Sequence, residues 1–381
     1  MGLAINVYNT SKRRIENQSS LGRVGFEYSR EAGLALDLII TFETSVLIVM
    51  VSFEAAVREA KLAIEYCYSV KKGENVAILT DEDHMVEAKA LAAVAGMAGG
   101  NVVLLDASDY VQAGMLTAGI PEPPSHISSM MEKTQVFIIK TDMDFAHRFA
   151  HTDASRIVER NKGRIASVEE DMGTWGIDYD YLIETKERTA KLGAITGRAD
   201  KIRVTSTKGT DVSFSIKNRP ALVIVPQRAP GDVMSPLPLW GEVAHSIIED
   251  TGNGVVVADG IANAVANNGL KEPITYSVKN GRGYDIRGGD EAKKWKAIID
   301  SADENANVLC EFAVGTGRRE RWNTVSEKGA LGTMHLALGE NAGPYPGGKN
   351  HSKIHLDVTI RFPTIEADGK VIVEKGVFKL D

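Results

Sequence analysis

Between Met334 and Asp357 the chain reads MHLALGENAGPYPGGKNHSKIHLD. His355 and Asp357 stand two apart in a strand-like run. Alternate residues of a strand project from one face, so this imidazole and this carboxylate can reach a single ion. His335 comes earlier, at the start of a strand-like turn that leads into a loop with four glycines, which lets the chain fold back and bring a second imidazole to the same point. Neutral imidazole and carboxylate oxygen converging in this way form a donor set for a divalent cation. H-x-D alone is a weak pattern, because a strand histidine hydrogen-bonded to an aspartate is its ordinary structural use. The glycine-rich approach and the second histidine strengthen the metal reading.

Two acids extend the set. Glu311 interrupts the apolar strand-like run VLCEFAVGTG, which starts at Val308, and a buried unpaired carboxylate is costly enough to call for a cation. Glu242 lies in GEVAHSIIEDTGNGVVVADG, at a turn followed by a strand, where a lone acid reads as exposed; Asp232, in Pro230-Gly231-Asp232-Val233, competes for the same role. Four further histidines are left outside the metal shell. His245 is one, and His351 reads as a solvated loop residue. His147 and His151 are four apart in the helical stretch FAHRFAHTD, a spacing that can bind a metal. No Glu follows His147 as HExxH requires, so these two read as domain-interface residues. Gly317-Arg318-Arg319-Glu320-Arg321 reads as a solvated charge cluster that could also hold an anionic substrate group.

The elements that must position these residues fall into two textures. Over the 381 residues, 43% are apolar and 25% charged, enough for a large core and two domains. A formal charge of -7, with no basic run longer than Lys12-Arg13-Arg14 or Arg318-Arg319, argues against nucleic acid as a partner. Cys67 and Cys310 are isolated in apolar contexts, so they form neither a metal knuckle nor a disulfide framework and imply a reducing, cytoplasmic setting. The apolar segment Leu34 to Phe53 contains Asp37 and Glu43, and central acids cost about 2.5–3.5 kcal/mol each on insertion, so no membrane span is expected. It also starts too late for a signal peptide and lacks a cleavage site. Residues 1–49 read as an extension, with Met50 opening the functional domain.

From Phe53, FEAAVREAKLAIEYCYSV carries apolar residues at helical intervals. The strand Asn75–Thr80, an Ala-rich helix from His84 to Ala98, the stop Gly99-Gly100 and the strand Asn101–Leu105 make a βαβ-type unit, and Gln135–Ile139 adds a strand. The strand-to-helix turn is DEDH rather than a glycine-rich loop, so neither dinucleotide nor P-loop binding follows. Residues 50–193 therefore predict an α/β domain with a mostly parallel sheet. Beyond them, β-prone segments at Lys201–Thr205, Val212–Ile216, Gly254–Ala258 and Ile354–Arg361 predict a β-rich α+β metal-binding domain over 194–381.

Taken in order over about residues 235–381, G-E-V, the later E-D, N-G-V-V-V-A-D-G, C-E-F-A-V-G, H-L-A-L-G-x-N, G-G and H-x-D resemble the aminopeptidase T family of metallopeptidases. The resemblance implies that Glu242, Glu311, His335, His355 and Asp357 bind a pair of divalent ions such as zinc, cobalt or manganese. It also implies that Tyr345 is a transition-state donor, although its distance from His335 departs from the family pattern, and that the protein is a homodimer. The expected function is hydrolysis of an amino-terminal peptide or small amide bond by metal-activated water, with Glu242 as ligand or general base. The N-terminal domain is closer in size to that of a related group, the 2,5-dihydroxypyridine 5,6-dioxygenases, which hold one Fe(II) with two histidines and an aspartate; His335, His355 and Asp357 could supply such a set. Those dioxygenases carry a histidine at the place of Glu311, lack the histidine of H-L-A-L-G, and have one in early strands of the second domain that Asp211–Ile216 does not match. Both aligned positions here keep the peptidase-type residue, which favours hydrolysis. A third alternative is a non-catalytic binding protein with a closed structural metal site.

Overall fold

The apolar periodicity that begins at Phe53 forms a helix over Phe53–Lys61, continued by a wider π-helical turn over Leu62–Cys67. The computed structural model describes residues 53–117, 119–168, 170–317, 322–343 and 345–380. The extension assigned to residues 1–49 and the charged loop at Arg318–Arg321 lie outside the described residues. No helix among the described residues is long and apolar enough to cross a membrane.

After this first helix come β1 (Asn75–Thr80), the helix Met85–Met97, β2 (Asn101–Asp106), β3 (Val136–Lys140) and β4 (Arg164–Val168), all paired in parallel. The central strands read as continuous apolar runs because both faces of the sheet are covered. Val76, Ile78, Val136 and Ile138 pack on the side of Ala60, Leu91 and Val94, whereas Ala77, Leu79, Phe137 and Ile139 pack with Phe145 and Phe149 on the other. This matches the expected α/β layer with a mostly parallel sheet.

The helix Tyr179–Thr196 then leads into the β-rich part. β5 (Lys201–Thr205) and β6 (Asp211–Ser215) open a second sheet, and β7 (Leu222–Ile224) belongs to a third. β8 (Ser235–Leu237) returns to the first sheet as the parallel neighbour of β4, giving the order β2-β1-β3-β4-β8. β9 (Glu242–Ser246) joins the third sheet, while β10 (Asn253–Ala258), β11 (Ile274–Lys279) and β12 (Arg282–Arg287) extend the second. β13 (Leu309–Gly315), β14 (Thr333–Gly339) and β15 (His355–Arg361) complete the third sheet in the order β15-β14-β13-β9-β7. β16 (Thr364–Ala367), β17 (Lys370–Glu374) and β18 (Val377–Phe378) finish the second.

The second and third sheets share one core. Val204, Val212, Phe214 and Val256 of the second meet Val243, Phe312, Val314, Leu336, Leu338, Leu356 and Val358 of the third. Since strand side chains alternate, the opposite face of the third sheet receives the residues between these: Glu242, Glu311, His335, His355 and Asp357. On at least one side each faces a small cross-strand neighbour. Glu242 pairs with Gly315, Glu311 with Ala337 and Ser246, His335 with Ala313, Asp357 with Ala337 and His355 with Gly339. The sheet thus leaves room for five large polar side chains to converge above it.

Candidate metal centre

All five side chains are buried, Glu311 completely. Its carboxylate lies between the imidazoles, with Oε1 3.4 Å from His335 Nε2 and Oε2 2.9 Å from His355 Nε2. Asp357 Oδ1 is 3.0 Å from His355 Nε2. Glu242 Oε2 is 3.8 Å from His335 Nε2 and accepts a hydrogen bond from Trp240 Nε1 at 3.1 Å. Donor atoms within 4.8 Å of one another form two trios, Glu242–Glu311–His335 and Glu311–His355–Asp357, with Glu311 common to both. Glu242 is therefore not the exposed turn acid its local sequence suggests: it is the first, buried residue of β9.

The charges are strongly coupled. Burial pushes the Glu242 carboxyl up to about 7, against the pull of His335. Burial opposes ionisation of Glu311 too, but His335 and His355 outweigh it and hold that carboxyl at about 2. Burial disfavours the charged form of His335, yet Glu242 and Glu311 raise it to about 9. His355 is likewise raised, burial being overcome by Asp357, and Asp357 is held well below the usual carboxylate range, burial being overcome by Lys328 and His355.

Two buried oxygens, Glu311 Oε1 and Asp357 Oδ1, have no hydrogen bond of proper geometry. Buried carboxylate oxygens are costly to leave unmatched, and these two lie beside imidazole nitrogens, so a cation fits between them. Three carboxylates and two imidazoles without a thiolate suit a divalent ion that accepts oxygen and nitrogen. Outer contacts orient the donors as metal sites require. His355 Nδ1 meets the Glu340 carbonyl at 2.7 Å and His335 Nδ1 the Lys328 carbonyl at 3.3 Å, so each Nε2 faces the acids. Asp357 Oδ2 accepts from Lys328 Nζ at 2.5 Å and Asn263 Nδ2 at 3.2 Å, which leaves Oδ1 for an ion.

Tyr345 comes from the glycine loop. Its ring lies nearly parallel to His355, at 13° with centroids 5.5 Å apart, and burial followed by the Glu311 charge raises its pKa well above the ordinary value. Asp232 is elsewhere, in a turn where Oδ2 accepts from Ala229 N and sits 3.6 Å from Arg228. His351 is exposed, and His245 is buried on the core side of β9, between Arg219 O and Thr196 Oγ1.

His147 and His151 do not share a helix face, because the helix ends at Phe149 and His151 lies in the turn beyond. Both nevertheless reach the site from the first layer. His147 Nδ1 is 2.8 Å from Lys328 Nζ, and the His151 ring stacks on His355 with centroids 4.2 Å apart while its Nδ1 meets Glu340 Oε2 at 3.4 Å. Together with Trp240, Lys328, Asn263 and Tyr345, they line a cavity of about 60 Å³ above the donors. Sequence reasoning passed over Trp240, Asn263, Lys328 and Glu340. The only available signal was adjacency: Trp240 is two residues from Glu242, and Glu340 follows H-L-A-L-G directly.

A family model described as NicX, 2,5-dihydroxypyridine 5,6-dioxygenase, matches residues 57–380. Among solved structures, the 2,5-dihydroxypyridine dioxygenase from Pseudomonas putida KT2440 is similar with a TM-score of 0.70 and 19% identity, over 86% of this chain and 98% of that one. Wild-type AmpT from Thermus thermophilus is similar with a TM-score of 0.61 and 16% identity, over 86% of this chain and 99% of that one. No curated protein matches the sequence. Both groups that the sequence resembles are thus represented among these similarities, and the two structures share the fold described above.

Proposed function

The chain belongs to the 2,5-dihydroxypyridine 5,6-dioxygenase family, and from that membership together with its donor set we propose a metal-dependent enzyme whose own site is built for hydrolysis of an amino-terminal peptide or small amide bond. The observation that carries this reading is the sharing of Glu311 between two trios, each with one imidazole and two carboxylates. Among the described residues the two imidazoles fall in different trios, whereas a ring-cleaving Fe(II) site places two imidazoles and one carboxylate on the same ion. A donor set able to hold two cations would favour water activation.

Glu242, Glu311 and His335 would hold one ion, and Glu311, His355 and Asp357 the other, with zinc, manganese or cobalt as candidates. Such a pair would lower the pKa of water towards about 7 and polarise a carbonyl. Through the carboxylate oxygen that it does not give to the ion, Glu242 takes the proton of the attacking water and returns it to the departing amine. Trp240 fixes the carboxylate for that task, and Tyr345 donates towards the reacting centre. A cavity of about 60 Å³ favours a small substrate. The buried free thiols Cys67 and Cys310 suit the cytoplasm.

Family membership favours a second reading, a non-haem Fe(II) dioxygenase acting on 2,5-dihydroxypyridine or a similar aromatic with His335, His355 and Asp357 as its set. One experiment separates the two. The protein loaded with Zn(II), Mn(II) or Co(II), and separately with Fe(II), is incubated with aminoacyl amides and with 2,5-dihydroxypyridine while oxygen uptake is followed. Amide cleavage without oxygen uptake is the expected result. Oxygen consumption with the pyridine in the Fe(II) form alone, and no amide cleavage with any metal, reverses the assignment.

A further inference from the structure

Lys328 occupies the short 3-10 turn Val325–Gly329, whose five residues are all buried. Its ammonium touches Asp357 Oδ2 at 2.5 Å and His147 Nδ1 at 2.8 Å, over the ring of Trp240 at 5.9 Å. An ammonium carries three hydrogens, and among the described residues no acceptor takes the third. Lys328 lines the same cavity as Glu242, His335, His355 and Asp357.

A structural role alone does not account for a cation here. Asp357 Oδ2 already receives a neutral donor, Asn263 Nδ2, at 3.2 Å. A buried ammonium is costly unless its charge is matched. Three carboxylates would neutralise three of the four charges of two divalent ions. One ionic charge and the Lys328 ammonium then remain over, to be met by the anions that the reaction itself generates. His147, from the first layer, and Asp357, from the third sheet, hold the ammonium from two sides, so it is fixed before any substrate arrives.

We infer that Lys328 binds the substrate's carbonyl oxygen through its third hydrogen and stabilises the oxyanion that forms there, an inference that rests on the hydrolytic reading above. In the step it serves, the water oxygen bonds to the acyl carbon as its proton passes to Glu242, and the carbonyl electron pair moves onto the oxygen held by Lys328. When that pair returns, the C–N bond breaks and Glu242 gives the proton to the leaving amine. His147 is a positioning residue in this arrangement.

The test compares zinc-loaded wild type with Lys328→Met and with Lys328→Gln, which keeps a donor for Asp357 should the methionine variant fail to fold. Zinc content is measured, and a phosphinic dipeptide analogue, tetrahedral and anionic, is titrated calorimetrically beside the amino acid released as the leaving amine, a product that lacks the reacting carbonyl. Zinc content should stay at the wild-type level in Lys328→Gln, phosphinate affinity should fall about 100-fold, and product affinity should be unchanged; turnover of an aminoacyl amide should fall by about 100-fold to 1,000-fold. Equal phosphinate affinity in wild type and the folded variants, absent binding included, overturns the inference, as does a loss that merely tracks zinc content. Absence of amide turnover by wild type would count against the hydrolytic reading, while the phosphinate comparison would still decide the role of Lys328.

Discussion

The backbone carbonyl of Glu340 meets Nδ1 of His355 at 2.7 Å, so the neighbour of the glycine loop decides which imidazole nitrogen faces the acids. A histidine that spends Nδ1–H on a carbonyl presents Nε2 as its donor, the usual arrangement of a metal-bound imidazole.

From this orientation, His355→Ala and Asp357→Ala should each lose most of the bound metal, whereas His126→Ala, an exposed residue of the helix Ser125–Met131 that belongs to neither trio, should retain it. Elemental analysis of the three purified variants after reconstitution checks this. Equal metal in all three would remove His355 and Asp357 from the site.

Glu311 carries a sharper expectation because it belongs to both trios. Glu311→Gln should deplete both ions, and Glu242→Gln only the one shared with His335. Metal titration followed by calorimetry distinguishes these outcomes; a Glu311→Gln protein that still binds two ions would show that the carboxylate does not bridge.

Tyr345→Phe removes a hydroxyl from a residue that lines the cavity without removing a donor from either trio. Metal content should be preserved while kcat on an aminoacyl amide drops by about 100-fold to 1,000-fold, in the range of a lost transition-state hydrogen bond. An unchanged kcat would reduce Tyr345 to a packing residue against His355.

Acid stability should depend on His245, whose ring burial lowers to about 4 from 6.5. The folded state prefers the neutral ring, so its contribution is complete above pH 6.5 and is lost as pH falls towards 4, by up to about 3 kcal/mol. Urea melts in chelator at pH 7 and pH 4.5 should show wild type losing more stability on acidification than His245→Asn. Parallel losses would mean that another group controls the acid limb.

Much of this was legible in the residues, because the signals were periodic. Asn75–Thr80 and Lys201–Thr205 appear with the bounds their apolar patterns suggest, and His355 and Asp357 share a face because strand side chains alternate. The alanines and glycines of C-E-F-A-V-G and H-L-A-L-G prove to be the neighbours that leave space for Glu311 and His335. Lys328, His147 and His151 were not recognisable in the same way. Their approach to the donors depends on how the first layer meets the third sheet, a long-range relationship that leaves no local spacing. Glu242 misled for a related reason: its burial is imposed largely by β7 and β13, strands distant in sequence.

β8 bears on how the protein is made. The outer edge of β4 acquires its partner, Ser235–Leu237, only after the intervening chain up to residue 237 has left the ribosome. Until then an unpaired edge of Arg164–Val168 stays open, a template for wrong pairing between nascent chains. When β8 docks it ends that exposure and carries Pro236, which lacks an N–H to offer a further strand. The same segment, Met234 to Pro236, walls the cavity, so completion of the first sheet also sets one wall of the space over the donors before the residues of the third sheet that complete it, up to Asp357, are synthesised.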